Sequence, residues 1–82
     1  MSYEKVLQAK SVIIGTKQTM RALKQYLIRE VIIAQDADQL LTAHVAETAR
    51  ELEVPITYVD SMQMLGKACG IDVGAATVAI KK

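Results

Sequence analysis

The sequence predicts an α/β fold, an α-β-α sandwich in which helices cover both faces of a sheet. Two observations predict it. Short runs rich in β-branched residues alternate with segments whose apolar residues recur at helical spacing. The joints between them are short, which is how strands and their covering helices are strung together. At 82 residues, half of them hydrophobic, the chain is long enough to bury a core and suits one domain over 1–82.

The elements follow in order. Residues 3–10 read as a short helix with Val6 and Leu7 on its apolar side, and SVIIG (11–15) as a buried strand ended by glycine. Met20, Leu23 and Leu27 recur at helical spacing and predict a helix over 17–28. EVIIAQD (30–36) is the second strand. A helix over 38–52 follows, capped by Asp38, with Leu41, Val45, Thr48 and Leu52 as its apolar stripe. PITYVD (55–60) is a third strand, begun by Pro55, whose missing N–H is tolerated at a first strand residue. Ser61 can cap a helix over 62–69, Gly70 stands where a left-handed C-terminal residue is wanted, and AATVAI (75–80) closes the sheet.

Composition excludes several classes. The core is aliphatic, with no Trp or Phe and three Tyr. No uncharged apolar run nears the ~18 residues of a membrane span, and no basic-then-apolar leader opens the chain. The single Cys69 rules out an internal disulfide and a four-cysteine zinc site. A cytoplasmic protein is expected. The net charge of +1 conceals an uneven distribution. Residues 1–29 set six cations against Glu4, for +5, while residues 30–66 set seven acids against Arg50, for −6. Such asymmetry permits a positive face suited to polyanions, or simply solvated charge.

The stretch IIGTKQTMR (13–21) concentrates the chemistry. On a helix beginning near residue 17, Lys17, Arg21 and Lys24 stand at i, i+4 and i+7 and share one narrow face. Gln18 lies at the edge of that stripe. The first turn adds unpaired N–H groups and the positive end of the helix dipole, a seat for phosphate. Gly15, without a Cβ, lets a ligand's backbone come close. Lys and Arg meet phosphates or guanine acceptors, and Gln both donates and accepts at a base edge. There is no GxxxxGK[ST] segment to suggest a nucleotide hydrolase. A solvated helix face remains the alternative. Downstream, LGKACGIDVGAATVAI (65–80) holds a glycine-flanked loop with two apolar residues, Ile71 and Val73. They are either a plug folded back on the core or an exposed contact.

Together, IIGTKQTMR, VIIAQDAD, VPITYV and LGKACGIDVGAATVAI resemble the kink-turn RNA-binding ribosomal proteins of the L-seven-Ae and L-thirty-e type, its small bacterial members above all. The resemblance covers nearly the whole chain in order. It implies a three-layer α-β-α sandwich with a four-stranded mixed sheet that binds a sharply bent internal RNA loop. It further implies that Gly15, Thr16, Lys17, Gln18, Arg21 and Lys24 meet tandem sheared G·A pairs and the adjoining backbone. Many members have Asn and Glu where this chain has Lys17 and Gln18; the L-thirty-e branch has the same Lys-Gln pair. Ile71, Asp72 and Val73 would then pack against unpaired nucleotides at the kink. The implied partner is structured RNA with a kink-turn, ribosomal or riboswitch-like, with the ribosome as a further partner. A second reading keeps the fold but makes the 71–73 loop an apolar anchor for another protein.

Other residues are read structurally. His44, at the margin of its helix stripe, is expected to be a partly buried structural residue with no paired nucleophile. Asp36 and Asp38 read as caps rather than metal ligands, Cys69 as packing, and Met62 and Met64 as core fillers. No triad, acid–base pair or metal set assembles. The expectation is a non-enzyme without cofactor or metal, monomeric and not membrane-bound.

Overall fold

The β-branched segments pair into one mixed sheet in the computed structural model, which describes residues 3–82. In chain order the elements are α1 (Tyr3–Gln8), β1 (Val12–Ile14), α2 (Thr16–Lys24), β2 (Ile28–Ala34), α3 (Gln39–Glu51), β3 (Ile56–Val59), α4 (Met62–Ala68) and β4 (Thr77–Lys81). The strand order is β1-β4-β2-β3, with β2 and β3 parallel and the other two pairings antiparallel. The last strand of the chain thus enters the sheet between the first two. Its residues Thr77 to Ile80 are all buried, as a strand covered on both faces must be.

Side chains alternate across a strand, and this sorts the core into two layers. Ile32 and Ala34 of β2, with Val78 and Ile80 of β4, pack with Val6 of α1 and Leu65 of α4. Val31, Ile33 and Ala79 face the other way, onto Leu23 of α2 and Val45 of α3. The three-layer α-β-α sandwich with a four-stranded mixed sheet is therefore present as the sequence implied.

Several elements differ from expectation. Leu7, expected on the apolar side of α1, is 66% exposed, and β2 runs over Ile28–Ala34 where a strand over 30–36 was expected. The helix expected over 17–28 stops at Lys24, and Leu27 is 42% exposed outside it. Tyr26 adopts a left-handed φ of 60°, its N–H donates to the Leu23 carbonyl, and that of Leu27 donates to Ala22. This is the double hydrogen bond of a Schellman cap, closed without glycine. Glu53, with φ 59°, ends α3 in the same way, and Gly70, with φ 80°, ends α4. Only the last carries a glycine signal, so the first stop is silent in the sequence. In α3 the buried face is Thr42, Val45, Ala46 and Ala49, whereas Leu41 of the expected stripe is 58% exposed. The face turned inward is the one whose Ala46 and Ala49 sit with Ala22 and Leu23 of α2.

Candidate nucleic-acid interface

The turn from β1 into α2 is built around Gly15. Its φ of 111° is a region that side chains other than glycine rarely enter. Its N–H donates to the Thr77 carbonyl at 2.9 Å, and its own carbonyl accepts from the Thr19 N–H at 3.0 Å. The Thr16 hydroxyl lies 3.3 Å from that of Thr77, a second tie to the start of β4. The Gln18 side chain folds back over the glycine: a Cβ there would lie 2.5 Å from Gln18 Oε1. Position 15 is thus bare in two senses, in backbone angle and in the space that the amide occupies.

Helix α2 starts without a side-chain cap. In α3 the Asp38 carboxylate accepts from Leu40 N–H at 2.9 Å, and in α4 Ser61 Oγ accepts from Met64 N–H at 3.2 Å. Asp36 adds a bond from Met62 N–H at 2.8 Å, so both aspartates are engaged as caps. The first turn of α2 has no acid either, and Lys17 adds positive charge at the positive end of the dipole. That placement costs the helix stability. It also makes the turn a strong attractor for an anion.

Lys17, Gln18, Arg21 and Lys24 are all exposed. Among the described residues the ion pair is Lys5–Glu30, which involves none of these cations. Arg21 stands about 6 Å and Lys24 about 10 Å along the helix from Lys17, at 1.5 Å per residue.

The loop after α4 is held on that helix by backbone contacts. Ile71 N–H donates to the Gly66 carbonyl and Ala75 N–H to that of Met62. Gly66 is buried, and the Val73 carbonyl rests directly on it. The loop then delivers Ala76, whose carbonyl accepts from Ala34 N–H at 2.9 Å, and Thr77, which holds Gly15. Gly15 to Gln18 and residues 71–73 therefore share one end of the sheet. The two apolar loop residues part company: Ile71 is half-buried against the core, and Val73 is 68% exposed beside exposed Asp72. Of the two readings left open, Ile71 takes that of a plug and Val73 that of an exposed contact, because the bond closing the α4 cap draws Ile71 inward.

Other residues settle as follows. His44 is exposed, not partly buried. Met62 packs on the core as a filler, but Met64 is 49% exposed and does not. Cys69 packs there too, and burial pushes its thiol above the usual range, which makes it a poor nucleophile. Gly66 and Thr77, which seat the two halves of the site, were not singled out from the sequence. A glycine inside a helical pattern was the available signal for Gly66.

Comparison with known proteins bears on the family and the fold. The sequence model of the ribosomal protein L7Ae/L30e/S12e/Gadd45 family matches residues 2–82. An RNA-binding protein of Halalkalibacterium halodurans is 60% identical over 82 residues, covering 100% of both chains. RNA-binding protein YbxF of Geobacillus stearothermophilus is 61% identical over 80 residues, 98% of each chain. The solved structure of a 15.5kD RNA binding protein from Giardia lamblia superposes with a TM-score of 0.87 at 23% identity. That match covers 98% of this chain and 68% of the other, and it speaks for the fold. With near-complete coverage by the family model and relatives this similar along their whole length, the chain belongs to the ribosomal protein L7Ae/L30e/S12e/Gadd45 family.

Proposed function

We propose that this chain is an RNA-binding protein that recognises and stabilises kink-turns, bent internal loops carrying tandem sheared G·A pairs, without catalysing a reaction. The observation that carries the reading is the union of an uncapped, cationic helix start with an apolar-tipped loop, tied by the Gly15–Thr77 hydrogen bond. Regular A-form RNA hides its base edges in a deep, narrow groove, so recognition falls on distorted elements. Gln18 offers both donor and acceptor to a base edge. Lys17 and Arg21 offset the repulsion of phosphates crowded at a bend, and Val73 offers an apolar face to an unstacked base. Gly15, Thr16, Lys24, Ile71 and Asp72 complete the surface. Tighter binding to the bent form than to the extended one draws the RNA into the bend. Family membership and the names of the relatives support RNA as the ligand, and a ribosomal or ribosome-associated target is part of the proposal.

A titration with a kink-turn stem and a control lacking the G·A pairs, labelled at both ends for energy transfer, tests the reading. Tight binding to the first with end-to-end closure is expected, with affinity falling as salt rises. Equal affinity for the two RNAs would refute it.

A further inference from the structure

A second cationic feature lies at the opposite end of the sheet. A cleft of about 290 Å³ opens between the segment after α1, the start of β2 and the end of β4. Lys10, Arg29, Lys81 and Lys82 line it together with Ser11, and no carboxylate side chain does. Glu30, next to Arg29 in the chain, is engaged by Lys5 at 2.9 Å and by the Thr57 hydroxyl, and its carboxylate also feels the Arg29 charge. Among the described residues none of the four cations has an ion-pair partner.

The backbone is shaped to this end. Ile28 pairs with Lys81 and Glu30 with Ile80, so Arg29 is the extra residue of a β-bulge. A bulge reverses the alternation of side chains and re-aims the residue it inserts. Here it keeps Ile28 buried on the α2–α3 side and leaves Arg29 exposed in the cleft. Lys81 N–H donates to the Ser11 carbonyl at 3.2 Å and Lys82 N–H to that of Leu27 at 3.0 Å, which holds the three segments around one opening. Four like charges gathered from separate segments make this opening attractive to an anion. A guanidinium fork and a hydroxyl among lysines fit the oxygens of a phosphate diester.

We propose that this cleft is a second phosphate-binding site, which grips the sugar–phosphate backbone of an RNA helix without reading its sequence. The proposal rests on the reading of the chain as RNA-binding. β4 spans about 13 Å between Thr77 and Lys81 at ~3.3 Å per residue, which sets this grip apart from the start of α2.

The test uses the whole chain, the Arg29→Gln/Lys81→Gln double variant and a Lys10→Gln variant. Fluorescence anisotropy measures binding to a fully paired RNA duplex across a sodium chloride series. Both variants should bind the duplex more weakly than the parent. The slope of log K against log salt should flatten by about 1 for each phosphate contact removed. Their preference for a short kink-turn over its G·A-disrupted control should stay at the parent value. Unchanged duplex affinity and slope in both variants would overturn the proposal. So would intact duplex binding combined with lost binding to phosphatidylserine vesicles, which would assign the cleft to a lipid surface. Failure of the kink-turn reading has a different mark: the parent chain itself would not discriminate the kink-turn from its control, whatever the cleft variants do.

Discussion

The Val73 carbonyl oxygen occupies the space that a β-carbon on Gly66 would need. The obstacle is backbone, not the far end of a flexible side chain, so the loop carrying Asp72 and Val73 cannot step aside by changing a rotamer. Gly66→Ala gains up to ~1 kcal/mol of helix propensity but introduces an overpacking cost of about 1–3 kcal/mol or more. A net loss in urea unfolding is expected, together with weaker RNA binding as the loop is pushed off α4. A variant as stable as the parent would show that the seat is soft.

Lys17 and Arg21 should separate binding from stability. Both are exposed and make no ion pair among the described residues, and Lys17 stands against the helix dipole. Lys17→Ala should leave unfolding unchanged or raise stability by about 0.3–1 kcal/mol. Arg21→Ala should stay within about 0.5 kcal/mol of the parent. Each should weaken kink-turn binding by roughly 1 kcal/mol, several-fold in Kd, in a gel-shift titration. Parent-like affinity in both would displace the proposed contact from this helix.

Glu30 links the fold to pH. Burial pushes its carboxyl up, but hydrogen bonds from Thr57 and Lys5, with the charges of Lys5 and Arg29, outweigh that and leave it below the usual carboxylate range. A carboxyl whose pKa falls on folding contributes stability above its unfolded value and loses it as pH drops through the folded one. Its side chain is only 13% exposed, so the interaction is partly shielded from solvent. Glu30→Gln should cost about 1 kcal/mol at pH 7 and converge on the parent at acid pH, measured by urea unfolding at both. A pH-independent gap would mean that the carboxylate charge is irrelevant.

Thr19 poses a different question. It is fully buried one turn into α2, and its hydroxyl has no hydrogen-bond partner among the described residues. Removing an unsatisfied hydroxyl without changing shape should be neutral or favourable, and Thr and Val differ little in helix propensity. Thr19→Val should therefore raise stability by up to about 1 kcal/mol in thermal unfolding. A clear loss would reveal a hydrogen bond that the hydroxyl makes in solution.

Much of the local structure at the candidate site was legible before any coordinates. Gly15 before Lys17 and Gln18 marked the turn, because a backbone angle open mainly to glycine and a helix start are both local events. Asp38, Ser61 and Gly70 announced their caps for the same reason. The stops at Tyr26 and Glu53 were not legible, since a left-handed residue that is not glycine leaves no compositional trace.

Periodicity and capping chemistry settled which segments are helix and which are strand, since each depends on residues within a turn or two of one another. Folding settled the order β1-β4-β2-β3, the burial of Ile71 against the exposure of Val73, and the seating of Val73 on Gly66. These rest on contacts between residues far apart in the chain. β4 reaches the sheet last yet pairs with both β1 and β2, and that insertion brings the loop before it to the start of α2.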